Sequence, residues 1–292
     1  MDDRRSIRGD STGFTPPTLP IAALAVALLA GAPQVSGGGA GVAPEVVKLS
    51  AARHFDFAIF LKPDLRNVPE ITGKFAPLIV REVDSASIWA RHAPLHFGGR
   101  NLQLFALPHW LEWQAKPWRR AFAYEGSIKI NGLDHPQVTY IWQHAAAGDS
   151  PAMVRIGLRI TIGSDGFPIV WEVLDSRQQS SILYVSRSAE NLAAAQFGAP
   201  LTDRHLSIEQ SFDQARDVIV VRALEDGPIP MGPYIYADAA SQITSILCRC
   251  SPTQVDEFLL EKQYQVEPMT DELKALLPQT DLTKMLRWPQ GL

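Results

Sequence analysis

Two tight-turn signals in the middle of the chain constrain its fold more than any other feature of the 292 residues. Asn131-Gly132 and Asp165-Gly166 are each flanked by runs rich in Val, Ile, Tyr and Trp. Both dipeptides accept the positive φ that a close reversal between twisted strands needs, so each predicts a β-hairpin. Residues 121–130 and 136–143 form the arms of the first hairpin, and residues 153–162 and 168–174 those of the second. Pro136 and Pro168 stand where these strands begin, a place that tolerates a missing N–H. With residues 181–185 as a fifth strand, the region reads as an antiparallel meander over about 121–187. The hairpins correspond at a spacing of 32, Ile128 with Ile160 and Pro136 with Pro168. A shared packing problem explains this more simply than duplication.

The flanks complete the expected architecture. Residues 54–61 are apolar and aromatic and read as a buried strand, residues 62–74 as a loop, and residues 75–92 fit helix or strand. Residues 101–107 alternate like a short strand. Ser188 is the expected cap of a helix over 189–197, which Gly198 and Pro200 end. Further strands are expected over about 218–250. Ser251 and Pro252 then look like the N-cap and first position of a helix running to about Lys262. Thr270 and Thr280 look like caps of two more helices. The fold class this predicts is α+β, with a mainly antiparallel sheet and short helices concentrated toward the C-terminus.

Composition fits a globular body and removes one class of partner. Hydrophobic residues make up 46% of the chain and charged residues 20%. The net charge of −4 offers no cationic excess to neutralise phosphates, which excludes nucleic acid as the expected partner. The first 44 residues stand apart from residues 45–292, which read as one domain. Residues 1–20 are polar, residues 21–32 are a run of small and apolar residues, and residues 33–44 are rich in Gly, Ser and Pro. That order is the order of a secretory signal. Twelve helical residues span only ~18 Å against a hydrocarbon core of ~30 Å, so the run is too short to cross a bilayer. Arg4-Arg5, followed by Ser6 and Ile7, resembles a twin-arginine export signal, although Arg8 and three aspartates depart from the pattern. Export to the periplasm or cell envelope is the expectation, with membrane contact only through this segment if it stays uncleaved. The alternative is a cytoplasmic protein with a disordered or mis-assigned N-terminal extension.

Cys248-Arg249-Cys250 holds the only two cysteines. In an extended strand, residues two apart share a face with Cα atoms ~6.6 Å apart, at the upper edge of disulfide geometry. Strand alternation would turn both sulfurs to the core and Arg249 to solvent, so simple packing is the first reading. A disulfide, or metal and redox chemistry, are the alternatives, and the second gains from a helix start just after Cys250. His92 and His96, with His109 nearby, are the candidate additional metal ligands, but Pro94 breaks a helical His-x-x-x-His face. Scattered structural or surface histidines are the better reading.

Residues 109–120 interleave Trp110, Trp113 and Trp118 with Lys116, Arg119 and Arg120. Exposed, these could stack on a sugar or bind an anionic ligand. Burial of Trp110 and Trp113 on one side of a helical turn, with the cations snorkelling, is the simpler reading. No Walker loop, dinucleotide fingerprint or nucleophile elbow occurs, and no cofactor is implied. The expected function is therefore a non-catalytic, exported binding or accessory component of the cell envelope. A metal-binding or thiol-redox protein centred on the two cysteines is the alternative. A hydrolase with a site assembled from distant residues leaves no local motif and stands third.

Overall fold

The computed structural model describes residues 54–84, 86, 106–145, 153–178, 181–202, 204–210, 218–278 and 280–292. The signal-like segment, His92 and His96 lie outside the described residues. Eleven strands form one sheet: β1 Phe55–Asp64, β2 Leu78–Glu82, β3 Arg120–Ile130, β4 Leu133–Ala145, β5 Met153–Ile162, β6 Pro168–Asp175, β7 Ser181–Ser186, β8 Val218–Leu224, β9 Tyr234–Ala237, β10 Ile243–Leu247 and β11 Val255–Pro268. Their order across the sheet is β10-β9-β2-β1-β11-β3-β4-β5-β6-β7-β8. The α-helices among the described residues include α1 Glu70–Phe75, α2 Ala106–Ala115, α3 Arg187–Phe197, α4 Asp271–Ala275 and α5 Leu282–Met285.

The meander is present as β3 to β7, each strand antiparallel to the next. Asn131 and Gly132 both adopt positive φ in its first turn, at 50° and 84°, and Gly166 does so in the second, at 81°. The rest of the expected sheet needs correction. It is mixed, not mainly antiparallel, because β1–β11, β11–β3, β2–β9 and β7–β8 all pair in parallel. Helices are not gathered at the C-terminus either, since α1 and α2 precede the meander.

The largest departure is β11. Residues 255–262, expected to be helical, belong to a 14-residue strand between β1 and β3. Its first part pairs with β1, from Phe55 opposite Val255 to Asp64 opposite Gln265. Its last part pairs with β3, from Gln265 opposite Arg120 to Pro268 opposite Ala123. Helix-forming residues such as Glu257, Leu259, Leu260 and Glu261 are outweighed by the main-chain ladder that β1 offers along one side. Capping shows a smaller shift of the same kind. Ser186, not Ser188, caps α3 by accepting from Ala189 N at 3.1 Å, while Ser188 N donates to Asp226. Thr270 does cap α4, but Thr280 instead donates to the buried Glu172.

The sheet curls almost into a barrel. Its edge strands β8 and β10 meet through Arg222, whose Nη2 donates to Ser245 Oγ at 3.0 Å and to Ile246 O at 2.7 Å. Inward side chains of all these strands form one core, in which Trp118, Trp142, Tyr140, Tyr264 and Tyr184 are the bulkiest members. Trp142 packs between Trp118, tilted to it, and Tyr264, edge-on to it, with ring centroids 5.3 and 5.8 Å away. Such rings bury roughly 150–250 Å² each, so the interior is filled by side chains, as in other small barrels. A second cluster lies on the outer face of β6 to β8, covered by α3 and the C-terminal residues Leu282, Leu286 and Trp288.

Candidate functional site

The two cysteines lie at one end of the barrel, directly after β10. The strand stops at Leu247 and the chain turns, with Ser251 N donating to Cys248 O at 3.0 Å. The turn brings the two Cα atoms to 5.2 Å, closer than an extended strand would, and the sulfurs are joined in a disulfide. The expected orientation is reversed. Cys248 is half-buried, Cys250 is exposed, and it is Arg249 that points inward. Ending a strand early removes the alternation on which that expectation rested. Cys250 N also donates to Cys248 Sγ at 3.1 Å.

Arg249 closes this end of the barrel. Its Nη2 donates to Ala76 O, in the short link between α1 and β2. Tyr140 and Tyr264 reach α1 and the same link from the barrel wall, their hydroxyls donating to Thr72 O in α1 at 2.5 Å and to Pro77 O in the link at 2.7 Å. Burial pushes the Arg249 guanidinium below the usual arginine range, against the pull of the nearby Tyr264, Tyr234 and Tyr140. The loop before β9 packs against the same link: Gly232 N donates to Lys74 O at 3.2 Å, and a Cβ at Gly232 would lie 2.2 Å from Phe75 O. A cleft beside Cys248, lined by Phe167, Trp171, Ile229 and Met231, holds only about 20 Å³. That is room for a single water, too little for a small molecule.

With the two sulfurs bonded to each other, neither is a thiolate, so metal binding by this pair would require its reduction. Among the described residues, one group of His and Asp side chains has ligand atoms within 4.8 Å of one another: His54, Asp56 and Asp256, all exposed. It contains neither cysteine. His109 is exposed on α2.

The tryptophans do not form a row. Trp118 is 1% exposed in the core, Trp110 is half-buried, and Trp113 is 64% exposed. Trp113, Arg119 and Arg120 share an open groove of about 810 Å³ with Phe122, Gln143 and Met153. Its cations are largely matched: Glu112 pairs with Arg119 and with Lys262, and Arg120 pairs with Glu267 at 3.0 Å. This weakens the groove as an anion site.

Two inward or seam-bridging arginines, Arg81 and Arg222, carry no motif in the sequence, and a third, Arg249, was expected to face solvent. Each donates to a main-chain carbonyl, of Ala239, Ile246 and Ala76 respectively. For Arg81 a signal existed: it alternates with Ile79 and Val83, both in the core, so a cation stands where the pattern asks for an apolar residue. No family model, no curated protein and no solved structure matches this chain.

Proposed function

We propose that the protein takes part in thiol–disulfide exchange through Cys250. The observation that carries this reading is a disulfide between residues two apart, exposed at one sulfur and half-buried at the other. As a structural staple the bond does little. Closing a loop of three residues removes chain entropy worth about 1.6 kcal/mol, against ~3 kcal/mol for fifteen residues. Its accessibility therefore matters more than its contribution to stability.

The chemistry follows from the asymmetry. An incoming thiolate attacks the exposed Cys250 Sγ, forming a mixed disulfide, and Cys248 Sγ leaves with the electron pair. The Cys250 N–H, which already faces Cys248 Sγ, stabilises the departing thiolate. A second thiolate then attacks the mixed disulfide, releasing Cys250 as a thiolate. Protons taken up by both cysteines complete the step, so the chain ends as a dithiol and the reductant as a disulfide. The export expected from the N-terminal segment would fit this reading, because a close cysteine pair persists as a disulfide in an oxidising compartment. No helix among the described residues is long and apolar enough to cross a membrane.

Trapping decides the matter. In a glutathione buffer, the Cys248→Ser variant should accumulate a mixed disulfide on Cys250, and Cys250→Ser should react far more slowly at the half-buried Cys248. Equal adduct formation in both variants, or a wild-type pair reducible only after unfolding, would sink the proposal. A second reading, a binding or accessory component of the cell envelope, is favoured by the exposed Trp113 over its groove. It requires a strain lacking the protein to be rescued by the double variant Cys248→Ser/Cys250→Ser and not by Trp113→Ala. Thiol exchange requires the reverse.

A further inference from the structure

The barrel also contains a buried cation, Arg81, that forms no ion pair within 4.0 Å among the described residues. Arg81 lies on β2, three residues from Leu78, whose strand partner Tyr234 is also the partner of Leu247 beside the disulfide turn. It stands opposite Ala237, at the other end of these short strands. Only 3% of Arg81 is exposed, and its neighbours in alternation, Ile79 and Val83, belong to the barrel core. Nη2 donates to Ala239 O at 2.8 Å. Nε and Nη1 are buried and make no hydrogen bond.

The groups around Arg81 leave it in this state. Asp175, inward on β6 two residues after Val173, is held by Arg177, with Nε to Oδ1 at 2.9 Å and Nη2 to Oδ2 at 2.7 Å. Asp238 and Glu82 attract Arg81 electrostatically, yet among the described residues neither forms an ion pair with it within 4.0 Å. Asp238 Oδ1 instead accepts from Gln242 N at 2.8 Å. His144 feels the charge of Arg81 from across the interior. It follows Tyr140 and Trp142 in alternation on β4, and its Nδ1 is likewise buried without a partner. Two nitrogens of a buried cation and one of an imidazole thus stand unused at one end of the barrel. Nitrogen donors on a buried guanidinium without an ion pair among the described residues suit an anion that accepts several hydrogen bonds, and Arg is the side chain whose planar fork matches an oxyanion.

We propose that Arg81 and His144 form a binding site for a small oxyanion of the carboxylate or phosphate class. The anion accepts from Arg81 Nε and Nη1 and from His144, and adds the hydrogen-bond acceptors that these nitrogens lack. The site is separate from the disulfide, so the two proposals stand or fall independently.

The test uses the full chain in chloride buffer, with inorganic phosphate or acetate added at constant ionic strength. Equilibrium dialysis should find one phosphate or acetate bound per chain, and the Tm should rise with the logarithm of its concentration. Arg81→Met should lose both responses, while its Tm in chloride equals or exceeds that of the wild type because a buried charge without an ion pair is gone. His144→Gln should bind about tenfold more weakly. Should Arg81→Met fail to fold, dialysis of the wild type and of His144→Gln still decides. Binding of neither anion by the wild type, an equal Tm rise in Arg81→Met, or unchanged affinity in His144→Gln would each overturn the site.

Discussion

At the scale of single residues, this protein is governed by where charge and bulk are forced into the barrel. His144 gives a pH signature. Burial lowers its pKa below the ordinary value near 6.5, Arg177 and Arg81 lower it further, and Asp175 opposes them. Between about 6.5 and the lower folded value, the unfolded chain holds a proton that the folded chain does not. The contribution is therefore fully present above about pH 6.5 and is lost as pH falls through that window. Thermal unfolding of His144→Gln from pH 7.5 to 5 should show a shallower loss than the wild type. Gly232 is a steric counterpart. An alanine there meets main-chain oxygens of both Phe75 and Ala76, the second at 2.8 Å, which no side-chain rotation can relieve. Gly232→Ala should cost about 1–3 kcal/mol in a urea titration.

Elements show what the sequence carries and what it conceals. The hairpins were legible because their information is local: Asn131-Gly132 and Asp165-Gly166 specify reversals, and the arms alternate. Strand β11 was not, because its conformation is decided by Phe55–Asp64 and Arg120–Ala123, residues far away in the chain. Ser251-Pro252 and the Glu, Leu and Lys that follow satisfy every local rule for a helix and are overruled by pairing. The disulfide turn failed for a subtler reason. The cysteines themselves were legible, but β10 ends at Leu247, and a strand three residues shorter than expected exchanges the inward and outward side chains. A test at this scale concerns how β11 is held. Tyr264 is its one fully buried residue, and its hydroxyl holds Pro77 O. Tyr264→Phe keeps the ring against Trp142 and should lose about 1–2 kcal/mol, measured as a lower urea midpoint with unchanged slope.

For the whole molecule, the decisive feature is a sheet that almost closes. Closing it removes exposed edges, which are templates for unwanted pairing. Here the last gap is spanned by a side chain, Arg222, and not by a backbone ladder. Arg222→Met should therefore open the seam without unravelling the meander. Amide exchange should quicken over residues 218–224 and 243–247 and stay slow over residues 137–145. Uniform acceleration across the sheet would show that the seam is not a separate weak point. The insertion of β11 also sets a schedule. Phe55 is paired with Val255, 200 positions later, so β1 leaves the ribosome long before the strand that completes it exists. At ~5–20 residues per second that wait is roughly 10–40 s. Throughout it, one edge of β1 remains open to any passing strand, which makes the nascent chain a natural client for a holding chaperone.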